Sequence, residues 1–156
     1  MALTFIRARR PDTAFTAIVT FLAARAPFDR MPLGPVIATV SGAIQRGHYA
    51  LAVEDGREVV GLTCWALTDY DTALAWSRGE AQPSFEQTLN GDTVMMMMGG
   101  GDGPAIALGG LRHIGDRYPG QRYVMNRFDR KRPSLGRFPP ARDGMVMASD
   151  ETAFGE

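Results

Sequence analysis

The spacing of apolar residues predicts a chain that mixes helices and strands. Apolar side chains recur at helical intervals in three segments, namely 11–25, 36–46 and 104–117, and 72–78 is a further candidate for a short helix. Runs rich in β-branched, aromatic or otherwise apolar residues predict four strands, at 49–53, 59–67, 93–98 and 123–128. Asp55-Gly56 is a strong turn signal between the first two strands, so these are expected to form a hairpin. The order of elements predicts an α/β (α+β) fold, with helices packed on the faces of a mixed sheet.

Several single residues mark the expected ends of these elements. Asp12 or Thr13 is expected to cap the first helix by accepting backbone N–H bonds. Pro27 limits that helix, and Gly47 is the expected C-terminal stop of the second. The glycine-rich stretch 99–103 is expected to be a tight loop between the strand 93–98 and the last helix.

Length and composition point to a single globular domain. The chain has 156 residues, and residues 1–140 are expected to fold as one domain, followed by a flexible tail at 141–156. The formal net charge is zero, so the overall charge gives no reason to expect nucleic acid or an anionic membrane as a partner. No apolar run approaches the roughly 20 residues of a membrane-spanning helix, and no signal peptide is evident, so a cytoplasmic location is expected. The single cysteine, Cys64, excludes an internal disulfide and a cysteine-based zinc site, and no metal is expected.

Three short motifs in the middle of the chain carry a family resemblance. They are Ala26-Pro27-Phe28-Asp29-Arg30, Gly61-Leu62-Thr63-Cys64-Trp65-Ala66 and Asn90-Gly91-Asp92, the last leading into the apolar run 93–98. In order and spacing they resemble the toxin-activating lysine acyltransferases, which fatty-acylate lysines of pore-forming RTX toxins. The resemblance spans roughly residues 21–129. It implies a GNAT-like acyltransferase fold.

The resemblance also implies partners and a catalytic pair. The implied donor is an acyl carrier protein with its phosphopantetheine thioester, so no tightly bound cofactor is expected. The implied acceptor is a polypeptide lysine, and a homodimer is compatible with the family. The family's catalytic His corresponds to Asp29 in this sequence, and its strand-borne Asp corresponds to Met98, or to Met96 with a different gap.

These replacements leave two functions open. A carboxylate with an ordinary pKa near 4 is a poor base for a lysine ammonium group, and a thioether cannot orient a base. The chain is therefore either a divergent or degenerate acyltransferase that uses Asp29, or a non-catalytic adaptor that binds a protein or an acyl chain. Asp102 is a candidate displaced acid opposite Asp29, although a turn or capping role is the simpler interpretation. His48 and His113 are best explained as structural or solvated residues.

Two further segments are candidates for binding an acyl donor. Gly99, Gly100, Gly101 and Gly103 precede a helix N-terminus, where free N–H groups can cradle an anion such as phosphopantetheine; a purely structural tight turn explains them equally well. Arg127 and Arg130 belong to the basic stretch 122–137, which suits an acidic carrier protein but is also compatible with a solvated tail. Met95–Met98 are expected to fill the core, because alternate strand residues face opposite sides of a sheet.

Overall fold

The protein is described by a computed structural model that covers residues 2–126 and 131–141 and the backbone of 152–154. Its helices are α1 Pro11–Ala23, α2 Leu33–Arg46, α3 Tyr70–Ser77 and α4 Pro104–Arg117, with two short 3₁₀ helices at Phe28–Arg30 and Glu86–Thr88. Its strands are β1 Leu3–Ala8, β2 Tyr49–Glu54, β3 Glu58–Thr68, β4 Thr93–Gly101, β5 Arg122–Met125, β6 Ser134–Arg137 and β7 Thr152–Phe154.

The strands form a mixed sheet, which confirms the predicted α/β class. Six of them follow the order β6-β5-β4-β3-β2-β1. The pairs β1–β2, β2–β3 and β5–β6 are antiparallel, whereas β4 and β5 are parallel. The short strand β7 pairs in parallel with the outer edge of β1, although it lies in the segment that was expected to be a flexible tail. Within the described residues, no helix is long and apolar enough to cross a bilayer.

The chain divides into two compact units. The first unit comprises residues 1–64, 98–111 and 149–156. Its core is built where the apolar faces of α1 and α2 meet the strands, and its most buried side chains are Ile18, Leu51, Val40, Val53 and Cys64. The Tyr49 hydroxyl lies inside this core and donates to the carbonyl of Ala8 while it accepts from the Ala8 N–H. This pair of bonds fixes the end of β1 against β2.

The second unit comprises residues 65–97 and 112–148. Ala66, Ala73, Met95 and Val124 form its small core, where α3 packs on β5. Trp65 is fully buried, and its indole N–H donates to the Tyr118 hydroxyl at 3.0 Å. A buried tryptophan N–H thus keeps a hydrogen-bond partner.

Most helix and hairpin predictions are confirmed in this structure. The second helix ends at Gly47, which has φ of 71° and donates to the carbonyls of Ala43 and Ile44. Asp55 and Gly56 both have positive φ, at 51° and 69°. Such a conformation twists in the same sense as the two strands it joins.

The structure corrects several expectations about element ends. The N-cap of α1 is Arg10, whose side chain makes no capping bond. Asp12, within the first turn, accepts the Thr13 N–H at 3.0 Å, as expected of one of the two candidates, and also pairs with the Arg10 guanidinium at 2.7 Å. The stretch 99–103 is not all loop, since β4 continues through Gly101. The strand predicted at 123–128 begins at Arg122 and is described to Met125, and residues 127–130 lie outside the described chain. Strands β1 and β6 were not predicted at all.

Candidate functional site

The turn that carries Asp29 is fixed by its neighbour Phe28. Residues Phe28–Arg30 form a single 3₁₀ turn, in which the Phe28 ring is buried in the core of the first unit. A Cβ added to Gly100 would lie only 3.2 Å from that ring, so the turn packs directly against the end of β4. The Asp29 side chain itself is exposed, and its backbone N–H donates to the Arg25 carbonyl at 3.0 Å.

The second candidate acid, Asp102, is held by Arg25. The Arg25 guanidinium donates to both carboxylate oxygens, with Nε–Oδ1 and Nη2–Oδ2 distances of 2.7 and 2.8 Å. The same guanidinium lies 3.9 Å from the centre of the Phe21 ring and donates to the Phe21 carbonyl. This bidentate pair lowers the pKa of Asp102, chiefly through the hydrogen bonds from Arg25. Asp102 is therefore ionised and a weaker base than an ordinary carboxylate.

Arg25 is the residue that joins the two candidate acids, and sequence reasoning missed it. Its carbonyl binds the Asp29 turn and its side chain binds Asp102, while no hydrogen bond between the two carboxylates occurs in the described chain. A shared proton or a cation between Asp29 and Asp102 is thus disfavoured, since Arg25 already neutralises one of them. No group of three or more His, Cys, Asp or Glu suited to a metal ion occurs among the described residues.

The four glycines near the end of β4 have different structural reasons. A Cβ added to Gly101 would lie 2.7 Å from the Cγ2 methyl group of Ile106. A Cβ added to Gly61 on β3 would lie 2.6 Å from the same methyl group. Gly100 makes room for Phe28, whereas a Cβ at Gly99 would meet only ordinary contact distances. Gly103 has φ of 117°, a conformation that other residues rarely adopt. Close packing of α4 therefore explains Gly101, the Phe28 ring explains Gly100, and backbone conformation explains Gly103.

Two backbone N–H groups just before α4 already have hydrogen-bond acceptors within the protein. The Asp102 N–H donates to Val60, and the Gly103 N–H donates to Gly101. Pro104 has no N–H to offer. An anion cradle of the kind that the glycines suggested therefore lacks several of its donors, and the Asp102 carboxylate at the same place disfavours a second anion.

The methionine run and Cys64 belong to the core. Met98, which with Met96 is one of the two positions that the resemblance aligns with a strand Asp, is only 7% exposed and packs in the cluster that contains Phe28 and Cys64. Met95 and Met97 pack in the core of the second unit, and Met96 is buried. Burial raises the pKa of the Cys64 thiol to about 12, so it is not a nucleophile near neutral pH. The core-filling prediction for these methionines is confirmed.

His48 and His113 lie where ordinary structural roles explain them. His48 is 8% exposed and directly follows the Gly47 cap of α2, with its backbone N–H bonded to Ala43. His113 is a half-buried residue of α4. The burial of His48 favours the structural over the solvated interpretation.

An open groove of about 680 Å³ runs along α1 in the first unit. Ala17, Phe21 and Val59 supply its apolar lining, and the hydroxyls of Thr13, Thr16 and Thr20 supply polar groups. Arg25 also lines this groove. The volume is in the range of small-molecule pockets. The remaining predicted binding residues, Arg127 and Arg130, lie outside the described residues.

Comparison with known proteins adds no family to these observations. No protein-family model matches the chain, and no curated protein matches it.

Proposed function

We propose that this protein is a non-catalytic adaptor on a GNAT-like acyltransferase fold, which binds a polypeptide or an acyl-carrying partner without transferring an acyl group. The observation that carries the proposal is the state of the two positions where the resemblance puts catalysis. Met98 fills the core at the place of the strand Asp, and Asp29 is an exposed carboxylate at the place of the His.

The chemistry of lysine acylation supports this proposal. A lysine amine is protonated near neutral pH, and a base must remove a proton before the amine can attack a thioester. Asp102 has a lowered pKa because of Arg25, and the Cys64 thiol is buried with a pKa of about 12. Neither can take over the role of the missing His.

The groove along α1 supports a binding role. Ala17 and Val59 line it on the apolar side and Thr13, Thr16 and Thr20 on the polar side, and Arg25 links it to the Asp29 turn and to Asp102. A bound segment that moves Arg25 would thus also affect the turn. If the partner is an acyl carrier protein, as the resemblance implies, the setting is cytoplasmic.

A second candidate is an active acyltransferase that uses Asp29. The observation that favours this candidate is that Phe28 and the Arg25 carbonyl hold the exposed Asp29 turn beside the end of β4. In this reaction the lysine nitrogen forms a bond to the thioester carbonyl carbon and the carbon–sulfur bond breaks. The carrier's thiol then leaves with the proton that the amine gave up.

One experiment separates the two candidates. The protein is incubated with carrier proteins that bear acyl chains of several lengths, together with a lysine-containing polypeptide. Intact-mass spectrometry measures transfer, and native mass spectrometry measures complexes. The adaptor proposal expects a complex and no transfer in the wild type. Transfer that disappears in Asp29→Ala but persists in the exposed control Asp116→Ala would overturn it in favour of the enzyme. The absence of both transfer and complex would remove the carrier protein as a partner.

A further inference from the structure

Two arginines stand directly opposite each other on the hairpin β5–β6 of the second unit. Arg122 begins β5 and pairs in register with Arg137 at the end of β6. Opposite residues of an antiparallel pair share one face of the sheet, with Cβ atoms roughly 5 Å apart. We refer to Arg122 and Arg137 as the arginine pair. Two like charges in this position repel each other and destabilise the hairpin unless an anion lies between them.

Both members of the arginine pair are held in place by groups that are not acidic. The Arg122 guanidinium lies 4.1 Å from the centre of the Tyr70 ring, a cation–π contact with the first residue of α3. Arg137 donates from Nη1 to the Gly120 carbonyl at 2.7 Å. Neither contact neutralises the positive charge. The chain therefore orients the two guanidinium groups while leaving their charge available.

One carboxylate lies near the pair and interacts weakly. The Asp92 Oδ2 atom is 3.5 Å from Arg122 Nη2, which is at the limit of a hydrogen bond. The Asp92 side chain is 69% exposed, so solvent screens this contact. Among the described residues, these contacts leave most N–H groups of both guanidiniums without an acceptor.

We propose that Arg122 and Arg137 form a binding site for a phosphoryl group, either as free phosphate or on a phosphorylated peptide side chain. Two arginine forks suit the several oxygens of a dianion, which can accept bidentate bonds from each guanidinium. The Tyr70 ring supports one side of the site. This inference is independent of the proposed adaptor function, because it rests on the second unit alone.

Phosphate affinity is measured for the whole protein with matched variants. Thermal unfolding is followed while inorganic phosphate replaces chloride at constant ionic strength, because a ligand of the folded state raises Tm with its concentration. A phosphoserine peptide and its unphosphorylated form are titrated in parallel to identify the source of the phosphoryl group. Arg122→Gln and Arg137→Gln remove one guanidinium each, and the exposed Arg112→Gln on α4 is the control.

The proposal expects phosphate to raise the Tm of the wild type and of Arg112→Gln. Arg122→Gln and Arg137→Gln should each weaken apparent affinity by about tenfold or more, since each removes charge-assisted bonds. Asp92→Asn should strengthen binding, because it removes the competing carboxylate.

Three results would overturn the proposal. One is an equal response to phosphate and chloride in the wild type, with no response to the phosphopeptide. A second is a phosphate effect that survives in both arginine variants. The third is weaker phosphate binding in Asp92→Asn, which would show that Asp92 supports the site instead of competing for it. Tighter binding of the phosphopeptide than of phosphate would support the proposal and identify a peptide as the source.

Discussion

At the scale of single residues, Arg25 has the greatest consequence for the candidate site. Its backbone carbonyl accepts from Asp29, and its guanidinium binds Asp102 while it stacks on Phe21. The ion pair is partly exposed, at 29% for the Arg25 side chain and 44% for Asp102. Solvent screening therefore limits the energy of the pair, although its bidentate geometry is favourable.

Replacement of Arg25 by Met tests the strength of this pair. Met keeps an apolar side chain near Phe21 but removes both bonds to Asp102, so we expect Arg25→Met to lower the free energy of unfolding by about 1 kcal/mol. Urea unfolding measures this loss. A double-mutant cycle with Asp102→Asn should give a coupling energy between the two sites, whereas Arg10→Met, which removes a highly exposed ion pair, should have less effect. A coupling energy of zero would contradict the assignment of Arg25 as the residue that holds Asp102.

The lowered pKa of Asp102 predicts how this contribution depends on pH. The folded-state pKa lies below the ordinary value of 3.8, so the stabilisation is fully present above that value. It is lost as the pH falls through the lower folded-state pKa. The difference in free energy of unfolding between the wild type and Arg25→Met should therefore be constant near neutral pH and become smaller in strongly acidic solution. Urea titrations at several pH values measure this difference.

The buried thiol of Cys64 gives a second prediction at this scale. Burial raises its pKa from 9.0 to about 12, so the folded protein should not react with an aromatic disulfide reagent at pH 8. The same thiol should react fully in urea. Above pH 9 the unfolded chain loses this proton before the folded one does, so the contribution of Cys64 to stability should fall as the pH rises toward 12. Rapid reaction of the folded protein would show that Cys64 is accessible.

At the scale of elements, the packing of α4 depends on two glycines. The Ile106 methyl group fits between Gly61 and Gly101, and a Cβ at either position would lie under 3 Å from it. Isoleucine is stiff at χ1 in a helix, so it cannot easily rotate away. The glycines of β4 and the position of α4 are therefore one packing feature.

The change Gly101→Ala tests this packing. We expect it to destabilise the protein by about 1–3 kcal/mol, the usual cost of overpacking, as measured by urea unfolding. Gly99→Ala is the matched control on the same strand, and it should have little effect because its Cβ meets only the Leu62 carbonyl at 3.5 Å. In an Ile106→Ala background, Gly101→Ala should become nearly neutral. Equal losses in both backgrounds would contradict the proposed contact.

The elements also show what the sequence could and could not predict. Gly47 and Asp55-Gly56 act locally, so their roles as helix stop and hairpin turn were predictable and are confirmed. The continuation of β4 through Gly101 was not predictable, because glycines favour loops and only the distant Ile106 and Phe28 explain them. Strand β6 has a single large apolar residue, Leu135, and is recognisable only through its pairing with β5.

The sequence likewise pointed to some residues of the candidate site and missed others. The resemblance pointed to Asp29 and to Met98 or Met96; Asp29 is exposed in a 3₁₀ turn, and both methionines are buried. The partner of Asp102 could not be read from the chain, because Arg25 lies 77 residues away in sequence. The sequence also could not show that Arg122 and Arg137 are cross-strand partners, because this depends on the register of β5 and β6.

At the scale of the whole molecule, stability favours an apolar residue at position 98, whereas acyltransferase chemistry would require a carboxylate there. The core of the first unit uses Met98 as an apolar residue, whereas the resemblance would require a carboxylate there. A buried unpaired carboxylate costs several kcal/mol, either directly or through a raised pKa. Methionine at position 98 adds apolar contacts to the core and cannot orient a base, which agrees with the proposed adaptor function.

Asp29→His and Met98→Asp, with Met98→Leu as a control, test whether position 98 serves stability at the expense of catalysis. Asp29→His changes an exposed residue, so we expect its stability to stay within about 0.5 kcal/mol of the wild type, with no acyl transfer from a loaded carrier protein. Met98→Asp should cost about 3 kcal/mol or more, whereas Met98→Leu, which conserves volume, should cost less than about 1.5 kcal/mol. Urea unfolding measures stability, and intact-mass spectrometry measures transfer. Acylation by Asp29→His alone would contradict the expectation that methionine at position 98 disables the site, because it would show that the scaffold lacks only a base.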